Sequence, residues 1–218
     1  MNAQELKVID PVRKQSEHGV GALSPMDPPE AYAPPALDPV PPSQMHSFLR
    51  TFVDEHQVLM EELRIFEETI VTIQKHGFTK ELDGTLRHFF QFYEKVLVPH
   101  ERREARQLFP LLNKRLIAEG EHSPGETPTT AIDLMDDDHS KAGQLAAVIL
   151  NFMGLAFRLP DERSKLLVLD AALEQGKNLV ELLHLHIFRE DNVIFPAAHR
   201  LITGVEFDEL QSKAVTER

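Results

Sequence analysis

The chain contains no cysteine. That excludes disulfides, thiolate zinc sites, Cys-ligated iron–sulfur clusters and cysteine nucleophiles, so any metal must be bound through histidine and carboxylate. It also lacks a cluster of basic residues. With Lys and Arg at 23 against 35 Asp and Glu, and a net charge of −12, the chain has nothing with which to neutralise phosphates, and no nucleic-acid partner is expected. No apolar run reaches transmembrane length, and the first thirty residues lack a basic start followed by an apolar stretch. Neither a membrane partner nor a leader is therefore expected, and the default location is the cytoplasm. No strand pattern competes with the helical periods described below.

Residues 1–42 lack any period that could build a buried face. Nine of the fifteen prolines fall there, several as Pro-Pro pairs, and the apolar residues between them are scattered. This composition predicts a disordered or extended arm. From Ser43, a suitable N-cap after Pro42, the pattern changes. Met45, Leu49, Phe52, His56, Leu59, Leu63, Phe66, Ile70 and Ile73 recur at steps of three and four up to Gly77.

A second helix is expected from Thr79 to about Ala118, with Leu82, Leu86, Phe89, Tyr93 and Val96 leading into His100, Glu104 and Leu108. Pro99 and Pro110 lie inside it and should bend it. Residues 120–130 form a connecting loop. A third helix from Thr130 carries Ile132, Met135, His139, Ala142, Ala146, Ile149, Met153 and Ala156 on one face. After Leu159-Pro160-Asp161 a fourth sets Leu169, Ala172, Gly176, Leu179, Leu183, His186, Glu190 and Ile194 in line, ending by Gly204. Residues 205–218 read as a charged tail with one short helix at 207–215. Four long amphipathic helices with short links predict an all-α fold, an antiparallel up-down-up-down four-helix bundle over residues 43–204.

The polar residues on those seams repeat. HERREARQLFP, residues 100–110, returns 86 positions later as HIFREDNVIFP, residues 186–196. In each copy a His precedes a Glu by four residues, and the Glu precedes Phe-Pro by five. Positions i and i+4 of a helix lie about 40° apart around the axis and about 6 Å apart along it, so both side chains project into one layer. Asp54-Glu55-His56 precedes the first copy and Asp137-Asp138-His139 the second, at His-to-His spacings of 44 and 47. Two similar halves thus each supply a lone His and a His-x3-Glu pair. A lone His on an apolar helical face is more often a hydrogen-bonded core residue, and one His-x3-Glu pair is common on helix surfaces. Six such residues on inward seams, duplicated in order, point instead to metal. Unpaired in a core they would cost on the order of 1–3 kcal/mol each, a cost that coordination removes. They divide between two ions, with two His for each and Glu104 and Glu190 bridging.

The residues that carry this pattern, His56, His100-Glu101-x-x-Glu104 with Leu-Phe-Pro, His139, and His186-x3-Glu190 with Ile-Phe-Pro, resemble the hemerythrin-like family, the His-His-Glu cation-binding domain. The resemblance covers about residues 43–204. It implies a non-haem di-iron site, oxo- or hydroxo- and carboxylate-bridged, bound by His56, His100, Glu104, His139, His186 and Glu190. Oxygen-carrying members have a further His one turn beyond the lone His of the third helix, where this chain has Gly143. The chain is in this respect similar to six-ligand bacterial proteins implicated in repair of iron centres under nitrosative stress, and to iron-sensing hemerythrin-like domains. The missing imidazole opens a coordination position, which favours reactivity or sensing.

Donor chemistry alone leaves zinc and manganese open beside iron. Three functional readings follow: binding or sensing of O2, NO or iron at an open dinuclear site; a di-iron redox enzyme acting on peroxide or NO or repairing iron–sulfur centres; and an iron-responsive regulatory module with a protein partner. A homodimer is compatible with each. Glu101, beside His100, is a further candidate near the metal. Asp54, Glu55, Asp137 and Asp138 are expected as solvated helix charges, one of which could orient an imidazole. His18, His46, His76, His88, His122, His184 and His199 lack comparable support.

Overall fold

In a computed structural model, residues 40–216 are described, with side chains to residue 212. Nearly all of the proline-rich segment 1–42 lies outside the described residues.

A short 3-10 turn, Pro42–Gln44, leads into α1 (Ser47–His76). The expected cap at Ser43 is taken instead by His46. Its Nδ1 accepts the Phe48 N–H at 3.2 Å, which leaves Nε2–H to donate to Asp208 at 3.2 Å. α2 runs over residues 80–119, entered through Thr79, whose hydroxyl accepts the Leu82 N–H, and closed by Gly120 in the left-handed conformation (φ 81°). α3 (Ala131–Ala156) starts from a reciprocal capping box between Thr130 and Asp133. α4, residues 162–201, is capped by Asp161. A fifth helix, α5 (Gly204–Thr216), occupies most of the segment expected as a tail. Among the described residues no strand is present, and no helix is long and apolar enough to cross a membrane.

The helices form a bundle in which α3 lies along α4, and α1 packs on both α4 and α2. The apolar seams meet in its interior. In the part of the core remote from the histidines, Phe66 stacks on Phe89 with centroids 3.8 Å apart. Gly176 permits the close approach of α4 to α1, because a Cβ there would lie 2.6 Å from Ile70 Cδ1. α5 covers the start of α1: the Phe207 ring is buried, stacked 5.1 Å from His46, while Glu206 pairs with Arg115 of α2.

Pro99 and Pro110, expected to bend α2, each follow a π turn, and so does Pro196 in α4. The turns span Tyr93–Leu97, Glu104–Leu108 and Glu190–Ile194, closed by i→i−5 bonds from Val98 to Tyr93, Phe109 to Glu104 and Phe195 to Glu190. Proline offers no N–H, and its ring crowds the carbonyl four residues earlier. A widened turn just before it accommodates both effects. The extra residue also moves the register. Val96, expected on the buried seam, is 39% exposed, and Leu97 takes the inward place at 2%.

Candidate metal centre

Each expected residue reaches the centre from a different part of the bundle. His56 comes from α1, His100 and Glu104 from α2, His139 from α3, and His186 and Glu190 from α4. Two of the π turns begin at the carboxylates themselves, so Glu104 and Glu190 stand where the helix is widest.

The six side chains form two groups of four that share both carboxylates: His56, His100, Glu104 and Glu190, then Glu104, His139, His186 and Glu190. Within each group one donor atom per residue lies within 4.8 Å of the others. Each carboxylate spans the two imidazole pairs. Glu104 presents Oε1 to His100 Nε2 at 3.3 Å and Oε2 to His139 Nε2 at 3.5 Å. Glu190 presents Oε2 to His56 Nε2 at 3.2 Å and Oε1 to His186 Nε2 at 3.2 Å. Both carboxylates are fully buried, yet among the described residues none of their four oxygens has a hydrogen-bond partner.

The outer nitrogens of His56 and His100 are hydrogen-bonded to acids, and that of His186 has an acid nearby. His100 Nδ1 lies 2.7 Å from Glu55, which also pairs with Arg103, and His56 Nδ1 lies 2.8 Å from Asp191. His186 Nδ1 is 3.7 Å from Asp138, and Asp138 is 2.6 Å from Arg189. For His56 and His100, protons held at Nδ1 by these carboxylates make Nε2 the inward-facing atom, which becomes a metal donor once it gives up its own proton. The Nε2 atoms of His56 and His100 face each other at 3.2 Å, and those of His139 and His186 at 3.1 Å. Once deprotonated, paired nitrogens at that distance repel unless a cation takes the place of the protons. Four imidazoles and two carboxylates with orphaned oxygens therefore fit a metal, and the donor set suits iron, zinc or manganese.

The electrostatics agree with a site built for positive charge. Burial alone would push the histidines down, but the surrounding carboxylates win. His56 is held up at about 9 by Asp191 and Glu190, His100 at about 10 by Glu104 and Glu55, and His186 is also raised. Burial would raise Glu190 and Glu104. For Glu190, His186 and His56 override it and hold it well below the carboxylate range, and for Glu104, where Glu190 adds to the upward push, His100 and His139 bring it down.

Asp138, expected in solvent, is buried against His186 and Arg189, and Glu55, half-buried, serves His100. Asp191 went unpredicted altogether. Its position next to Glu190 is the signal that was present, since a residue adjacent to an inward carboxylate reaches the edge of the same layer. Glu101 is buried, and burial lifts it to about 7 against the opposing pull of His139 and His186. It belongs to neither group of four. Of the remaining histidines, His46 caps α1, His88 is exposed and faces Glu62, and His122 donates to the Ser123 carbonyl.

Neither the curated proteins nor the solved structures give a match to the chain. A family model does: the Hemerythrin HHE cation binding domain matches residues 47–198, from the first residue of α1 to just past the second Phe-Pro. That span is more than half of the chain and contains all six clustered residues, so the chain belongs to the hemerythrin HHE cation-binding domain family.

Proposed function

We propose that the chain is a non-haem di-iron protein of the six-ligand type, which binds or senses a small ligand such as O2 or NO, or iron itself, through an open dinuclear site. His56 and His100 hold one ion, His139 and His186 the other, and Glu104 and Glu190 bridge them in an antiparallel four-helix frame. The observation that carries the reading is the set of four buried carboxylate oxygens, partnerless in hydrogen bonding, each 3.2–3.5 Å from a different imidazole Nε2. Bound iron would supply Lewis acidity and one-electron chemistry. The chain supplies neutral imidazoles oriented by Glu55, Asp191 and Asp138, and a water-poor interior around them.

A second reading, a redox enzyme acting on peroxide or NO, is favoured by Glu101. A buried carboxyl next to His100, with His139 and His186 as electrostatic neighbours, is placed to take or give a proton during turnover, a role that simple storage does not need. Mixing the iron-loaded chain with NO, O2 or peroxide separates the two readings. Stoichiometric spectral change without consumption of excess ligand supports binding or sensing, whereas catalytic consumption, lost in Glu101→Gln, supports the enzyme.

A further inference from the structure

The internal repeat extends to a pair of arginines. Arg103 follows His100 by three residues and Arg189 follows His186 by three, each immediately before a clustered Glu, while Glu55 and Asp138 each immediately precede a lone His. Both arginines cross to those acids on the neighbouring helix: Arg103 of α2 pairs with Glu55 of α1, and Arg189 of α4 pairs with Asp138 of α3. In each half a single carboxylate oxygen faces both the guanidinium and the Nδ1 of the paired histidine, Glu55 Oε2 in the first and Asp138 Oδ2 in the second.

The two halves then differ. Glu55 Oε2 lies 2.7 Å from His100 Nδ1, whereas Asp138 Oδ2 stands 3.7 Å from His186 Nδ1, beyond hydrogen-bond reach. Among the described residues His186 Nδ1 has no hydrogen-bond partner. A second difference lies four residues before each lone histidine, where the first half has Phe52 and the second Met135. The Arg103 guanidinium lies over the Phe52 ring, 5.1 Å from its centroid. That ring in turn meets the His100 imidazole edge-to-face, with centroids 5.3 Å apart and planes at 84°. Phe52 and Glu55 stand three residues apart on α1 and so share a face, and Arg103 reaches both from α2.

Resting on the metal reading above, we propose that Arg103 is a positioning residue for the ion held by His56 and His100. It fixes the His100 ring through two contacts, holding Glu55 against Nδ1 and Phe52 against the ring, so that Nε2 stays aimed at the centre. Arginine suits this task because a planar guanidinium can donate to a carboxylate while its face stacks on an aromatic ring. Arg189 has an acid short of hydrogen-bond contact with its imidazole and no ring at the position matching Phe52, and does not share the role. Charge alone predicts the opposite effect. Removing a positive charge near a cation site should tighten metal binding if Arg103 acts only as a charge, and loosen it if Arg103 positions His100.

The test is titration of the metal-free full chain with cobalt(II), read by its ligand-field absorption bands, after circular dichroism has shown each variant helical. Arg103→Met keeps an apolar stem beside Phe52 and removes the guanidinium. It should weaken one of the two cobalt ions about tenfold, at the low end of the effect of residues that orient metal ligands, and shift the bands of that ion. Arg102→Met removes the same charge from the exposed neighbouring residue and should leave affinity and bands unchanged. Adding Arg103→Met to Glu55→Gln should have less effect than Arg103→Met alone, because part of the arginine's influence passes through Glu55. The double variant also leaves no unpaired carboxylate at Glu55, so it remains informative should Arg103→Met fold poorly. Unchanged or tighter cobalt binding in folded Arg103→Met overturns the positioning role, and full additivity with Glu55→Gln overturns the route through Glu55. Failure of the unsubstituted chain to bind cobalt is a different result, which removes the metal reading and this inference together.

Discussion

The imidazole of His56 lies nearly parallel to the ring of Phe195, with centroids 5.5 Å apart and planes 19° apart. The same relation recurs in the other half, where His139 lies against Phe109 at 5.7 Å and 13°. Each lone histidine is thus backed by the Phe-Pro of the opposite repeat, five residues beyond the carboxylate and just past the π turn. The recurring Phe at that spacing has a structural purpose: it fixes the plane of an imidazole that has no neighbour on its own helix to orient it.

Phe195→Ala should therefore cost more than its burial. Loss of a fully buried ring is worth about 3–5 kcal/mol, to be read from denaturant unfolding of the metal-free chain. Metal affinity should fall as well, because His56 loses its backing. Phe66→Ala, equally buried but remote from the histidines, should cost similar stability and leave affinity relative to the folded state unchanged. Equal affinity in the two variants would contradict the positioning role.

Removing His100 or Glu190 should strip metal from the chain. His100 contributes a donor atom to one group of four, and Glu190 contributes an oxygen to both. Elemental analysis of His100→Ala and Glu190→Ala should give less than half the metal of the parent. Full occupancy in either would rule out the ligand assignment.

The acids behind the imidazoles are unequal, and the difference is measurable. Asp191 binds His56 at 2.8 Å, while the matching position of the first repeat is Ala105, so His139 has no corresponding partner. Asp191→Ala should weaken one ion about 10–100-fold and spare the other. Titration with metal should then resolve into two unequal steps. A uniform loss at both would contradict independent support of the halves.

Metal removal should reverse the pH response. In the metal-free chain His56 and His100 keep their protons to about 9 and about 10, above the usual 6.5. Their stabilisation is fully present below about pH 6.5 and is lost as pH rises through about 9–10. Glu104 and Glu190 are depressed, so their contribution is present above about pH 4.5 and is lost as pH falls through their lowered values. A cation competes with the imidazole protons, so its affinity rises over the interval in which the metal-free chain weakens. Thermal midpoints from about pH 6 to 10 should show a gap between loaded and metal-free protein that widens with pH. A constant gap would indicate that metal does not displace these protons.

The His/Glu cluster was legible because duplication made it so: two His-x3-Glu pairs and two lone histidines keep the same order, and helical geometry puts each pair on one face. The helix starts near Thr79 and Thr130 and the break at Leu159-Pro160-Asp161 were legible for a similarly local reason, since backbone satisfaction at helix ends involves only neighbouring residues. Val96 and Leu97 were exchanged because a constant period cannot register a π turn, although the prolines at 99, 110 and 196 mark where the turns fall. Asp138 and Asp191 escaped because a carboxylate beside an inward residue reads as solvated until an Arg189 or a His56 arrives from another helix. α5 was underestimated because its anchors, Phe207 and Leu210, are set among charges, and the surface they cover belongs to the start of α1, distant in sequence.

Metal content per chain after purification without added metal, with absorption spectra in air and after anaerobic reduction, tests the dinuclear iron site most directly. About two irons per chain are expected, with near-ultraviolet oxo-bridge bands that bleach on reduction. Zinc alone, or a stably folded chain with no metal, would contradict it.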